Sequence, residues 1–187
     1  MAREHRAEFD YLEWQYVKPF AQRWKTKIRK TKRVDDKQYE FDLFIASYLI
    51  YAALVNVIKP LDLRTKEDTA YCTNVMATFI LENSQKASQL IQNLKVPTTK
   101  LCDVKKKNNF SVKSSKGLDP ELESQWKQGS DEDKLLALLQ SLYYLRCNLF
   151  HGNKEYADYQ VALLNPANEC LKIINREIHQ IFTNLES

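Results

Sequence analysis

Seven consecutive residues, Arg146-Cys147-Asn148-Leu149-Phe150-His151-Gly152, place a cation, an amide and an imidazole at the end of an apolar run. Leu142, Tyr143, Tyr144 and Leu145 lead directly into Arg146. A guanidinium in such surroundings is costly unless something anionic meets it. His151 adds a group that exchanges protons near neutral pH. A fixed cation together with a proton shuttle suits chemistry on a phosphodiester. On one straight helix Arg146 and His151 would point about 140° apart. They converge only if the helix ends or distorts, or if a second copy of the chain supplies the partner. Gly152 predicts an ending, and a histidine at a helix C-terminus is favoured in its protonated form. The same residues also suit plain structural roles: His151 capping the last carbonyls, Arg146 paired with a carboxylate, Asn148 on a half-exposed helix face.

Metal chemistry has no footing in the spacing. The four cysteines, Cys72, Cys102, Cys147 and Cys170, form no Cys-x-x-Cys pair, and His5, His151 and His179 are scattered. No metal or other cofactor is expected, and the cysteines read as free buried thiols of a cytosolic protein. No apolar run approaches the ~20 residues of a membrane span. The start, Met1-Ala2-Arg3-Glu4-His5, lacks the apolar core of a signal peptide. Together these set a cytoplasmic expectation.

The elements that position the motif read as helices. Three glycines stand in 187 residues, and Asn-Gly and Asp-Gly dipeptides are absent. The fold class is therefore all-α, a helical bundle of four to five main helices. A basic, aromatic segment spans residues 4–32, with Pro19 breaking or kinking it. Asp35-Asp36 then caps a long helix ending near Lys59-Pro60. Phe41, Phe44, Ile45, Tyr48, Leu49, Ala52, Val55 and Ile58 make it apolar over most of its circumference, so it belongs at the centre. A third helix is expected over residues 68–95, stopping before Pro97. Residues 96–130, rich in lysine, serine, glycine and proline, read as a long basic loop between the second and third core helices. Ser130, followed by Asp131, Glu132 and Asp133, opens the leucine-rich helix that delivers the motif. A short helix over 155–164 and a last one capped by Asn165-Pro166 complete the chain. Leu171, Ile174, Ile178, Ile181 and Phe182 face inward in that last helix. One domain over 1–187, with 96–130 a partly flexible insertion, accommodates all of this.

Charge is unevenly spread. The net charge is +4, yet residues 18–33 alone carry eight Lys or Arg and no acid. Lys100, Lys105, Lys106, Lys107, Lys113 and Lys116 form a second cluster. Such runs favour polyanions, or serve as solvated faces.

The string Arg146-Cys147-Asn148-Leu149-Phe150-His151-Gly152, with Lys154 beyond it, resembles the signature of the HEPN superfamily, an Arg followed after four to six residues by a His. That family is a small helical bundle, often dimeric. Many members are metal-independent endoribonucleases of toxin–antitoxin, abortive-infection or antiviral systems; others bind RNA or nucleotides without cutting. The family commonly has Asn directly after the Arg, where this chain has Cys147. The resemblance implies a homodimer whose two motifs face one cleft. It implies catalytic roles for Arg146, His151 and Asn148, with Lys154 on the RNA backbone. Arg23, Lys27, Lys30, Lys105, Lys106 and Lys107 would steer RNA, and Trp14, Trp24 or Trp126 could stack bases or fill the core. RNA and a second copy are the expected partners, with an antitoxin or regulatory protein beside them. A non-catalytic RNA- or nucleotide-binding module and a helical partner-binding subunit are the alternatives.

Overall fold

The computed structural model describes residues 7–30, 36–60, 68–107, 120–150 and 158–187. The fold is all-α. Its helices are α1 (Tyr11–Lys30), α2 (Asp36–Val55), α3 (Asp68–Ala70), α4 (Met76–Asn83), α5 (Ala87–Lys107), α6 (Leu122–Gln128), α7 (Asp131–Phe150) and α8 (Asp158–Glu186). A π-helical turn, Tyr71–Val75, joins α3 to α4. One short ribbon, β1 (Ala7–Phe9) against β2 (Ile58–Pro60), is antiparallel and ties the entry of α1 to the exit of α2.

The basic aromatic segment begins later than its composition suggests. Asp10 caps α1, its Oδ1 accepting from the backbone N–H groups of Leu12 at 3.0 Å and Glu13 at 3.2 Å. Pro19 does not break α1. It lies on the exposed side, while Trp14, Val17 and Ala21 are buried on the other. The central helix ends at Val55, and residues 58–60 leave it to form β2.

The expected helix over 68–95 is two helices. Ser84 adopts an extended conformation after α4. Its hydroxyl donates to Glu177 Oε1 at 2.5 Å and accepts from the Lys86 N–H at 3.1 Å, a local turn that stops one helix and opens the next. Pro97, in contrast, does not stop α5. Leu94, Pro97, Thr98, Leu101 and Cys102 form one buried stripe, and α5 packs along α8. Burying two leucines is worth about 1.5–3 kcal/mol each, against about 3 kcal/mol for an interior proline. Residues 96–107 are therefore helix rather than loop, and 122–128 are α6; residues 108–119 lie outside the described residues.

Ser130 caps α7 as expected. Its Oγ accepts from the Asp133 N–H at 3.2 Å, while Asp133 Oδ2 accepts from the Ser130 N–H at 3.0 Å. Gly129 just before it has no room for a side chain, since a Cβ would stand 2.7 Å from the Gln125 carbonyl oxygen and 2.8 Å from Asp133 Cβ. The last two expected helices are one. Asn165-Pro166 caps nothing, because Asn165 Nδ2 instead donates to Glu40 Oε1 at 3.2 Å and α8 runs straight through Pro166. Leu171, Ile174, Ile178, Ile181 and Phe182 are buried, as the pattern anticipates.

Helices α2 and α8 form the central pair. Asn168 Nδ2 donates to the Glu40 carbonyl oxygen at 3.0 Å, and Asn175 Nδ2 donates to the Ser47 carbonyl oxygen at 2.9 Å. Both steps are seven residues in the same direction, so the two helices run parallel with a coiled-coil-like register. Helix α1 packs on α2, and its Trp14 Nε1 reaches Glu186 at the end of α8 at 3.0 Å. No helix among the described residues is long and apolar enough to cross a membrane.

Candidate functional site

Helix α7 carries Arg146 one turn from its end. Leu135, Leu138, Leu139, Leu142 and Leu145 are buried along the helix and anchor it. Arg146 itself is half-buried. Its guanidinium lies over the Tyr48 ring of α2, 5.8 Å from the centroid, and Nη1 donates to Cys147 Sγ at 3.7 Å. Burial works against its charge, but the Cys147 sulfur and the nearby Tyr48 and Tyr143 hydroxyls outweigh it and hold the guanidinium protonated above its ordinary range.

Tyr48 was not singled out by the sequence as anything but core. It is 5% exposed, yet its hydroxyl has no hydrogen-bond partner among the described residues. Burial pushes that hydroxyl far above its usual titration range. One turn on, Tyr51 is satisfied, its hydroxyl donating to the Cys72 carbonyl oxygen in the π-helical turn at 2.5 Å. Tyr71, also in that turn, donates to the Ile58 carbonyl oxygen. The π-turn is thus pinned to both α2 and β2. π-bulges are frequent at functional sites, and this one stands behind the Arg146 niche, next to Tyr48 and Tyr51.

Asn148 is half-buried on the same helix. Because α7 is regular through Phe150, Asn148 points about 160° away from Arg146. The helix does not bring these two side chains together. His151, Gly152 and Lys154 lie outside the described residues.

The expected RNA-steering cations fall into two groups. Arg23, Lys27 and Lys30 share an exposed side of α1, and Lys27 Nζ stands 4.6 Å from the Trp24 ring centroid. Lys105, Lys106 and Lys107 form the last turn of α5. Lys106 is already engaged, 2.6 Å from Glu123 Oε1, which Lys127 also meets at 2.6 Å. These two hydrogen-bonded lysines hold the Glu123 carboxyl down to about 2. Trp14 is fully buried and stacks no base. Trp24 and Trp126 are partly buried against the core. All four cysteines are free thiols, three of them buried and Cys147 half-buried.

No family model matches the chain, and no curated protein or solved structure matches it.

Proposed function

We propose that the chain is a HEPN-type, metal-independent endoribonuclease, built as a bundle of four to five main helices. In this reading it works as a cytoplasmic homodimer in a toxin–antitoxin or antiviral system. The observation that carries it is Arg146: a permanently charged guanidinium, half-buried over an aromatic ring, five residues ahead of a histidine. A planar cation held this way is suited to phosphate oxygens. His151 of one protomer takes the proton of a ribose 2′-hydroxyl as its oxygen attacks phosphorus. The bond to the 5′-oxygen breaks, and the second protomer's histidine protonates the leaving oxygen. Arg146 stabilises the charge that builds on the phosphate. The products are a 2′,3′-cyclic phosphate and a 5′-hydroxyl. Arg23, Lys27, Lys30, Lys105, Lys107 and Lys154 draw RNA towards the cleft.

The test is cleavage of a panel of structured RNAs by the purified chain in EDTA, with end-group analysis. Arg146→Ala and His151→Ala each reduce cleavage by about 10²-fold or more, with circular dichroism and dimer mass unchanged. Equal cleavage by the His151→Ala protein overturns the assignment.

A second reading, a module that binds RNA without cutting it, is favoured by the separation of Asn148 from Arg146, about 160° around α7. It is distinguished by salt-dependent RNA binding with no cleavage.

A further inference from the structure

The outer face of α1 is left uncovered by the fold. Around the helix, Leu12, Tyr16, Pro19, Arg23, Lys27 and Lys30 fall within about 80° of one another, and all six are exposed. The buried side chains of α1, Trp14, Val17 and Ala21, lie on the opposite side and hold the helix on the core. The exposed line runs for about 27 Å and changes character along the way: apolar first, cationic after Pro19.

The apolar end protrudes. Leu12 is 72% exposed, Tyr16 76% and Tyr11, at its edge, 51%. Glu186 brings the end of α8 alongside, accepting from Trp14 Nε1 at 3.0 Å and Gln15 Nε2 at 3.2 Å, and Leu185 next to it is exposed as well. Six large apolar side chains are exposed among the described residues, and four of them therefore sit around the first turns of α1. Scattered singly, such residues mean little; gathered into a patch rimmed by polar groups, they mark a contact surface.

The other end is positive. Residues 18–30 hold six Lys or Arg and no acid. Lys18 is spent on Glu186 at 2.7 Å. No carboxylate among the described residues pairs with Arg23, Arg29 or Lys30. Glu13, the one acid within α1, lies about 100° round the helix from Leu12.

A partner for this face must meet three conditions. It must mould to the convex surface of a single helix, take up an exposed leucine, and present negative charge further along the same line. A nucleic acid supplies the charge but nothing apolar for Leu12. A folded protein needs a concavity shaped to the protruding Leu12 and Tyr16. The boundary of an anionic bilayer meets all three conditions. Its acyl region is fluid, its headgroups are charged, and tyrosine, with an apolar ring and a polar tip, settles at that depth. Clusters of about four to eight Lys or Arg on an amphipathic helix are a recurring mark of acidic-lipid recognition.

We propose that the outer face of α1 docks on an anionic lipid surface, with Leu12 and Tyr16 in the headgroup–acyl boundary and Arg23, Lys27 and Lys30 on the acidic headgroups. The inner face keeps its hold on the core, so α1 docks without leaving the bundle. RNA and the bilayer then compete for the same three cations, but the lipid site stands whether or not the chain cuts RNA.

Cosedimentation of the full chain with phosphatidylcholine vesicles, plain or containing about 30% phosphatidylserine, tests it. The chain associates with the anionic vesicles at least about tenfold more tightly than with the neutral ones, and salt weakens the association. Leu12→Ser/Tyr16→Ser changes only exposed side chains; it keeps the melting temperature and RNA binding, and weakens vesicle binding by about tenfold or more. Arg23→Gln/Lys30→Gln also weakens it by about tenfold or more. Four results overturn the proposal. One is no association up to about 1 mM lipid. A second is equal association with neutral vesicles. A third is unaltered vesicle binding in Leu12→Ser/Tyr16→Ser, which makes the attraction one of charge alone. The fourth is a change of oligomeric mass in that variant, which makes the face a contact between copies of the chain.

Discussion

Tyr48→Phe is expected to stabilise this protein, although it removes a polar atom from the core beside the candidate site. The Tyr48 side chain is 5% exposed and its hydroxyl makes no hydrogen bond among the described residues. Folding strips water from that hydroxyl and returns nothing, a cost of about 1–3 kcal/mol for a buried unsatisfied group. Phenylalanine keeps the ring, and with it the contact to Arg146 at 5.8 Å and to Tyr51 at 5.6 Å between ring centroids. The expected gain is about 1 kcal/mol, or about 2–4 °C in Tm for a domain of this size. Tyr51→Phe is the matched control. Its hydroxyl is bonded to the Cys72 carbonyl oxygen, so the same atom deletion there is expected to cost about 1–2 kcal/mol. Urea denaturation read by tryptophan fluorescence, at constant m-value, measures both. Opposite signs support the reasoning. A loss of 1 kcal/mol or more in Tyr48→Phe would mean that its hydroxyl is satisfied and that the niche is built differently.

Two further outcomes follow from the packing. Pro19→Ala is expected to raise stability by about 1–2 kcal/mol in the same urea assay, since an exposed interior proline costs about 3 kcal/mol and its stiffening of the unfolded chain returns about 1. Unchanged or lowered stability would show that α1 depends on the proline geometry. His179 is held below its ordinary pKa, first by burial and then by Lys25 and Lys18 from α1, with Glu186 on its own helix acting the other way. A histidine with a depressed folded pKa contributes stability above its unfolded pKa of about 6.5 and loses it as pH falls. Unfolding free energy should therefore decline below about pH 6.5, and His179→Gln should flatten that decline; an identical slope in the variant refutes it.

Hydrophobic patterning made the helices legible where a buried stripe and a cap agreed. Ser130 and its following acids marked the start of α7, and the apolar set from Leu171 to Phe182 marked the inner face of α8. Proline misled the reading each time it met tertiary burial. Pro97 and Pro166 sit inside helices because their stripes pack against neighbours remote in sequence. Ser84 failed to register as a helix end because its partner, Glu177, is 93 residues away. At the candidate site, Arg146 could be read from the sequence as a charge set at the end of an apolar run, but Tyr48 looked like one more core aromatic among many. The pairing of α2 with α8 had a signal that went unread: Asn168 and Asn175 interrupt an otherwise apolar face at seven-residue spacing. Only the fold reveals that Lys25 and Arg29 on α1 lie opposite Lys172 and Arg176 on α8.

The register between α2 and α8 has a bearing on how the protein is made. Both asparagine bonds join residues 128 positions apart. Synthesis at about 5–20 residues per second leaves α2 waiting roughly 6–26 s for its partner to be translated. Through that interval the face that Asn168 and Asn175 later secure is bare, on a helix that buries Phe44, Tyr48, Tyr51 and Leu54 in the finished fold. The nascent chain is therefore a natural client for holding chaperones. Its yield in a cell should track their supply more closely than the equilibrium stability of the completed molecule.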